Sequence, residues 1–353
     1  MLSSAEATVN KQTTNVVLPG LQNFGPAVLA DYCGDMVLYR SLKPIDSRLP
    51  KIRRAMFEAG LAGDNIPRKQ DVDYAKVANV YAQAIHRLSG QSGEPTELLF
   101  IGDTLYNDGG AFRNMVNQGD WRGACFIGVE EADEEPANLL QEDIYLANRW
   151  AALAEWARWL RQDQGFQLDH NTVVVVDIDK TALGARGRND KAIDAARVEG
   201  AYRTLSKALG ANADLDDFVV YYDELNQAKY HGVTADNQDY LAYLCLVITS
   251  GLISFDEVRQ QVADGSLTSF EQFTRLVETR MLINTSRSEG LRQAHDAITG
   301  SMRTGDPTPF KSFRRQEFIS TVEHMGQWPD DTSLAELMAS EITLTEEVCA
   351  MMS

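Results

Sequence analysis

Cysteine is scarce in this sequence, and nothing in its spacing indicates a metal or redox motif. No CxxC pair occurs among the 353 residues, and the four cysteines are far apart: Cys33, Cys125, Cys245 and Cys349. Most of them lie among apolar residues, where a free cysteine behaves as a small hydrophobic side chain. The pattern indicates a protein of a reducing compartment.

Long apolar runs are also missing. No stretch of 18 apolar residues appears, and the opening MLSSAEATVNKQTTN has no basic region followed by an apolar run. The sequence therefore predicts neither a membrane span nor a secretory signal. We expect a cytoplasmic protein.

Basic residues are outnumbered by acidic ones. Lys and Arg together number 33 against 51 for Asp and Glu, which gives a formal net charge of -18. A nucleic-acid partner would require a basic face. The charge balance therefore argues against such a partner, and it gives no information on the oligomeric state.

The length and pattern of the chain predict two domains. With 44% hydrophobic residues, the chain can bury substantial cores, and domains usually have about 100 to 200 residues. We predict a flexible tail at 1–24, an α/β unit at 25–168, and a strand followed by a helical region at 169–353. In the helical region, Asp217–Tyr222 is the one candidate strand.

The segment TVVVVDIDKT carries two carboxylates at the end of an apolar strand. Four consecutive valines precede Asp177 and Asp179, and unbroken β-branched runs are typical of parallel sheets covered by helices on both faces. We therefore predict a buried central strand. Its carboxyl end is where open α/β sheets bind their ligands.

A second acidic segment, ELLFIGDTLYNDGG, has the same organisation. A short apolar strand ends at Gly102, and Asp103 and Asp108 follow it on a strand-to-helix turn. Gly109 and Gly110 allow the backbone to bend sharply there.

Together these motifs resemble the haloacid dehalogenase superfamily of phosphatases and related hydrolases. Its DxDxT motif is matched by Asp177, Asp179 and Thr181, and its GDxxxD motif by Gly102, Asp103 and Asp108. The resemblance implies an α/β fold with a doubly wound parallel, Rossmann-like sheet and an inserted helical cap. Such a cap closes over the site, excludes water and selects the substrate.

The resemblance also implies a chemistry. Asp177 would attack phosphorus to form an aspartyl phosphate, and Asp179 would protonate the leaving oxygen and then activate the hydrolytic water. Mg²⁺ would neutralise the carboxylates. Its expected ligands are Asp103, Asp108, Asp177 and the carbonyl of Asp179.

Further roles fall to residues around these motifs. A family lysine opens the helix before the GDxxxD strand, and Lys76 is expected in that role, with Thr181 orienting the nucleophile. Arg186 and Arg188 are expected to hold a substrate phosphate or carboxylate bidentately. The predicted function is Mg²⁺-dependent hydrolysis of a small phosphorylated metabolite.

The order of the motifs leaves two arrangements open, because GDxxxD precedes DxDxT here and follows it in the family. A circular permutation would supply the second-motif hydroxyl from Ser41. A tandem arrangement would make Asp31 the nucleophile of a first unit, with Cys33 where the second aspartate belongs. The second unit would then be short, as in a truncated chain.

Two other functions remain open. A degenerate member of the family would be a binding or scaffold module without turnover. An acidic phosphoacceptor domain, like a response-regulator receiver, is a third possibility, but the long helical insert argues against it.

Overall fold

The computed structural model describes residues 31, 37–39, 42–63, 65–210, 215–283, 288–306, 308–326, 329 and 331–352. The predicted tail at 1–24, Ser41 and Cys33 lie outside these residues. In the described part, an α/β unit comes first and a helical region follows it.

The α/β unit is built on a five-stranded sheet in the order β5-β6-β4-β3-β7. Four strands run parallel, and only β5 is antiparallel to its neighbour β6. A separate antiparallel pair, β1 and β2, lies near the start of the chain. The strands are β1 Leu38–Tyr39, β2 Lys43–Pro44, β3 Glu97–Gly102, β4 Arg122–Gly128, β5 Asn138–Gln141, β6 Ile144–Ala147 and β7 Thr172–Val176.

Helices pack on both faces of this sheet. Along β7, Val173 and Val175 join the core formed with helices α2 and α3, while Val174 and Val176 join the core formed with α4. This alternation is expected of successive residues in a strand. The predicted α/β class with a mostly parallel sheet is confirmed. The helices of this unit are α1 Ile52–Glu58, α2 Val72–Leu88, α3 Gly110–Gly119 and α4 Ala152–Gln162.

The position of β7 corrects one prediction. The valine strand is parallel to β3, as expected, but it lies at the edge of the sheet and is only partly buried along its length. Among the described residues, no strand pairs with its outer edge. The apolar run correctly indicated helices on both faces, but it could not indicate whether a strand has one neighbour or two.

The remaining chain from α5 onward forms the helical region, which has its own core. Helix α8 lies at its centre, since every residue from Asp239 to Ile248 is buried. The candidate strand at Asp217–Tyr222 was wrong, because Phe218–Tyr222 lies in a helix, Phe218–Leu225, and Asp217 is the residue just before it. The helices are α5 Asp190–Leu209, α6 Phe218–Leu225, α7 His231–Thr234, α8 Gln238–Thr249, α9 Phe255–Ala263, α10 Phe270–Ile283, α11 Glu289–Arg303, α12 Lys311–Glu323, α13 Leu334–Ser340 and α14 Glu346–Met352.

The last described segment returns to the loop that follows β7. The amide of Thr345 donates to the carbonyl of Ala182 at 3.0 Å, and the amide of Gly184 donates to the carbonyl of Thr343 at 2.7 Å. These bonds hold the loop against the start of α14. None of the described helices combines the length and apolar character needed to cross a bilayer.

Candidate active site

The loop after β3 is organised around the buried side chain of Asp108. Its Oδ2 accepts hydrogen bonds from the amides of Asp103 and Thr104, at 3.0 and 2.9 Å, and from the Thr104 hydroxyl at 2.9 Å. A Cβ on Gly102 would lie 2.5 Å from the Asp108 side chain, so only glycine fits before Asp103. The loop therefore has a defined shape that fixes both carboxylates.

The pairing of β3 with β7 brings the two acidic motifs together. Ile101 lies opposite Val176, and the amide of Asp177 donates to the carbonyl of Ile101 at 2.9 Å. Asp103 and Asp177 thus follow adjacent parallel strands. One carboxylate oxygen from each of Asp103, Asp108 and Asp177 lies within 4.8 Å of the others. We call these three residues the acidic cluster.

Lys69 supplies a cation to this cluster. Its ammonium nitrogen forms ion pairs with Oδ1 of Asp108 and Oδ1 of Asp177. Burial disfavours the ammonium, but the two carboxylates outweigh it and raise the pKa of Lys69 above its usual value. Lys69 is therefore charged and bridges the two acidic motifs.

The three carboxyl groups differ in pKa. Burial, with repulsion from Asp108 and Asp177, raises the pKa of Asp103 to about 7. Burial also raises the pKa of Asp177 to about 6, although Lys69 opposes that shift. Burial acts on Asp108 as well, but Lys69 and the bonds from Thr104 outweigh it and hold its pKa below the usual range. The site therefore carries more negative charge than one lysine neutralises.

The two predicted substrate arginines lie in different surroundings. Arg186 donates from Nη1 to Oδ2 of Asp103 at 3.0 Å, so it reaches the acidic cluster. Arg188 instead pairs with Glu130 at 2.7 Å and Glu347 at 3.0 Å. Arg188 therefore ties the loop to α14 and is already neutralised.

Asp179 lies outside the acidic cluster. Its side chain is 54% exposed, and its carboxylate lies 3.6 Å from the guanidinium of Arg197 on α5. That separation allows charge attraction without a short hydrogen bond. The structure therefore brings together the three predicted carboxylate ligands, Asp103, Asp108 and Asp177. The side chain of Asp179, whose carbonyl is the fourth predicted ligand, lies beside Arg197.

Arg197 belongs to a chain of charged side chains that runs into the helical region. Its Nε donates to Glu317 at 3.0 Å, and Glu317 in turn accepts from Arg314 at 2.7 Å. Arg314 also donates at 2.7 Å to Asp239, a fully buried carboxylate at the start of α8. We call this series, from Asp179 to Asp239, the charged chain.

Lys76 and Thr181 do not contact the cluster carboxylates. The ammonium of Lys76 pairs with Asp73 at 2.8 Å on the same helix. Thr181 is fully buried, and its carbonyl accepts a hydrogen bond from the Thr345 hydroxyl. Lys76 lies too far along α2, because only the start of that helix is near the carboxyl ends of the strands.

Sequence reasoning missed Lys69 and Arg197. Lys69 lies in the loop just before α2, which a crossover connection places at the same edge of the sheet as the acidic motifs. The position of this loop could therefore have indicated Lys69 from the sequence. No sequence pattern could have indicated Arg197, because its role depends on how α5 packs against α12.

The geometry bears on the order of the motifs. GDxxxD and DxDxT share one site, as a permuted domain requires. Asp31, the nucleophile of the tandem alternative, is exposed and is not part of the acidic cluster. A divalent cation fits the donor set, since three clustered carboxylates are hard oxygen ligands and Lys69 leaves part of their charge uncompensated.

Comparisons with known proteins give no relative. No protein-family model, no curated protein and no solved structure matches this chain. The functional argument therefore depends on the site itself.

Proposed function

We propose that the protein is a Mg²⁺-dependent phosphohydrolase of the haloacid dehalogenase type, acting on a small phosphorylated metabolite. The observation that carries this proposal is the bridge by Lys69 between Asp177 and Asp108, beside Asp103, at the ends of two adjacent parallel strands. A carboxylate held against a lysine at such a crevice suits nucleophilic attack on a phosphoryl group.

Asp177 is the nucleophile in this proposal. Its carboxylate oxygen forms a bond to phosphorus while the bond from phosphorus to the leaving oxygen breaks. Lys69 offsets the negative charge on the phosphoryl oxygens and on Asp177. With its pKa raised only to about 6, Asp177 is mostly ionised at neutral pH and able to attack.

Asp179 is the proton donor and later the base. It gives its proton to the leaving oxygen, and then takes one from the water that attacks the aspartyl phosphate and releases phosphate. To reach the leaving group, its exposed side chain rotates away from Arg197. The attraction at 3.6 Å is weak enough for this rotation.

Mg²⁺ would be held by Asp103 and Asp177, with Asp108 within reach, and would supply positive charge to the phosphoryl oxygens. Asp103 must lose its proton to bind a cation. Its pKa of about 7 therefore makes metal affinity rise with pH through neutrality.

The helical region is the cap in this proposal. Helix α5 carries Arg197 to the DxDxT loop, and the first turn of α8 carries Tyr240, whose hydroxyl lies 3.4 Å from the guanidinium of Arg68 beside Lys69. Through these two contacts, helices of the helical region lie beside the loops that carry Asp179 and Lys69. Cys125 and Cys245 are free and buried, which fits a reducing compartment, and we place the activity in the cytoplasm.

Hydrolysis of a generic phosphate ester tests the proposal. We expect the parent protein to hydrolyse para-nitrophenyl phosphate with MgCl₂ and to stop in excess EDTA. Asp177→Asn should abolish the reaction, and Asp179→Asn should slow it by about 10²- to 10⁴-fold. Asp133→Asn, at an exposed loop carboxylate, is the matched control and should keep full activity.

Full activity in Asp177→Asn, with the fold intact, would contradict the proposed role of Asp177 as the nucleophile. One observation favours a second candidate, a binding module without turnover: the Asp179 side chain lies outside the acidic cluster, 3.6 Å from the guanidinium of Arg197. That candidate predicts no hydrolysis of any ester, with stabilisation by Mg²⁺ preserved.

A further inference from the structure

The segment before α2 places three consecutive side chains on three different parts of the site. Lys69 bridges the acidic cluster, and Gln70 donates at 2.6 Å to Asn107 in the loop after β3. Arg68 reaches the helical region, where its Nη2 lies 3.4 Å from the Tyr240 hydroxyl. Adjacent Cα atoms are about 3.8 Å apart, so Arg68 lies next to the catalytic lysine.

Arg68 differs from the other basic side chains around the site. Among the described residues, no carboxylate lies within ion-pair distance of its exposed guanidinium, and Tyr240 is the one polar side chain that this guanidinium contacts. The neighbouring cations already contact carboxylates: Lys69, Lys180, Arg186, Arg188 and Arg197. In a protein of net charge -18, Arg68 is thus an exposed positive charge, adjacent in sequence to Lys69, that no carboxylate of the described residues pairs with.

Tyr240 is held rigidly beside it. Its ring stacks on Phe270 with centroids 3.7 Å apart and planes 4° from parallel. The preceding residue, Asp239, is anchored by Arg314 and by the amide of Phe310 at 3.0 Å. A phenol fixed in this way can donate to an anion while Arg68 supplies the charge, at little further loss of side-chain freedom.

We infer that Arg68, with Tyr240, forms a subsite for a second anionic group of the substrate, a carboxylate or a second phosphate. This inference rests on the proposed function, which places the scissile phosphate at Asp177 and Lys69. The substrate class is then a phosphate ester that carries a second negatively charged group. A phosphate ester whose remaining part is uncharged would leave Arg68 without an anionic partner.

Binding of phosphonates, which have no ester bond to hydrolyse, tests the subsite without relying on turnover. Propylphosphonate, 3-phosphonopropionate and propylene bisphosphonate each contain three carbon atoms. The chain ends in a methyl group in the first, in a carboxylate in the second and in a second phosphonate in the third. Their dissociation constants are measured by calorimetry with MgCl₂ at constant ionic strength. We expect at least one of the two ligands with a second anionic group to bind the parent about tenfold or more tightly than propylphosphonate. Comparing these two ligands shows whether the subsite binds a carboxylate or a phosphonate.

Variants test whether Arg68 and Tyr240 cause the preference for ligands with a second anionic group. Arg68→Met should remove the preference, while propylphosphonate should still bind the variant, and Arg68→Lys should restore part of the preference. Tyr240→Phe, which keeps the stacked ring, should reduce it. Arg87→Met, at an exposed arginine in the last turn of α2, is the matched control and should keep it.

The failures are distinguishable. If the parent binds propylphosphonate but shows no preference, or if Arg68→Met keeps the preference, the subsite is overturned and the phosphohydrolase proposal stands. If the parent binds none of the three ligands, the proposed phosphoryl site is contradicted, and the subsite that depends on it is contradicted as well.

Discussion

Replacing Asp103 with Asn should stabilise the metal-free protein at neutral and alkaline pH. The carboxyl side chain is only 9% exposed, and burial with two neighbouring carboxylates raises its pKa from 3.8 to about 7. A group whose pKa is raised on folding stays protonated in the folded protein after it has ionised in the unfolded chain. The folded protein therefore loses stability as the pH rises from about 4 to about 7.

The size of this loss follows from the pKa values. At about 1.4 kcal/mol for each tenfold change in proton affinity, a pKa moved from 3.8 to about 7 corresponds to at most about 4 kcal/mol. Because Asp103 shares its repulsion with Asp108 and Asp177, we expect Asp103→Asn to recover about 2 kcal/mol. The gain should be present at about pH 8 and small at about pH 4, since Asp103 is then protonated in the folded state and only about half ionised in the unfolded chain.

Urea unfolding in EDTA at these two pH values measures the effect. Asp133→Asn, at the exposed loop carboxylate, controls for the loss of one negative charge from the whole protein and should show little difference between the two pH values. With saturating MgCl₂, the order should reverse, because a ligand at a hundredfold excess over its Kd stabilises the parent by about 2.7 kcal/mol and the variant lacks one of its ligands. A variant that gains no more stability at high pH than at low pH would refute the reasoning.

Three further substitutions test other parts of the site. Lys69→Met should destabilise the protein by about 3 kcal/mol, since it leaves two buried carboxylates without their cation. The control Lys76→Met should change stability by no more than about 0.5 kcal/mol. Urea unfolding of both variants compares them directly. Arg197→Met should lower the free energy of unfolding by about 3 to 5 kcal/mol in the same measurement, because it breaks a buried ion pair. Arg203→Met on the same helix should lower it by less than half as much. Equal losses in the two variants would contradict the importance of the charged chain. Thr345→Val removes one buried hydroxyl donor and should lower the thermal midpoint in proportion to about 1 kcal/mol, while an unchanged midpoint would show that this bond contributes nothing.

The parts of the fold that the sequence predicted are those set by local pattern. The valine run indicated a strand at Thr172–Val176, and the apolar ELLFI run indicated a strand at Glu97–Gly102. Both end in carboxylates at the same edge of the sheet, because parallel strands share a direction. The pattern therefore placed Asp103, Asp108 and Asp177 at strand ends, but it left open whether the two strands are neighbours in one sheet.

The parts that were missed depend on packing between distant elements. The edge position of β7 depends on which strands are present beside it, and no property of the valines encodes that. The orientation of Asp179 depends on Arg197, and Arg197 is in turn fixed by Glu317, 120 residues along the chain. Helix patterning favoured Lys76 over Lys69, because such patterning marks a helix start only to within a turn or two.

The two routes between the crevice and α8 end on neighbouring residues. One route passes from Asp177 through Lys69 and Arg68 to Tyr240, and the charged chain passes from Asp179 to Asp239. Both ends of the DID triplet are thus linked to the first turn of a single helix. A tilt of that turn would therefore displace the side chains that contact Asp177 and Asp179 together. A change in the angle of α8 should therefore alter the surroundings of Asp177 and Asp179 together and not one at a time.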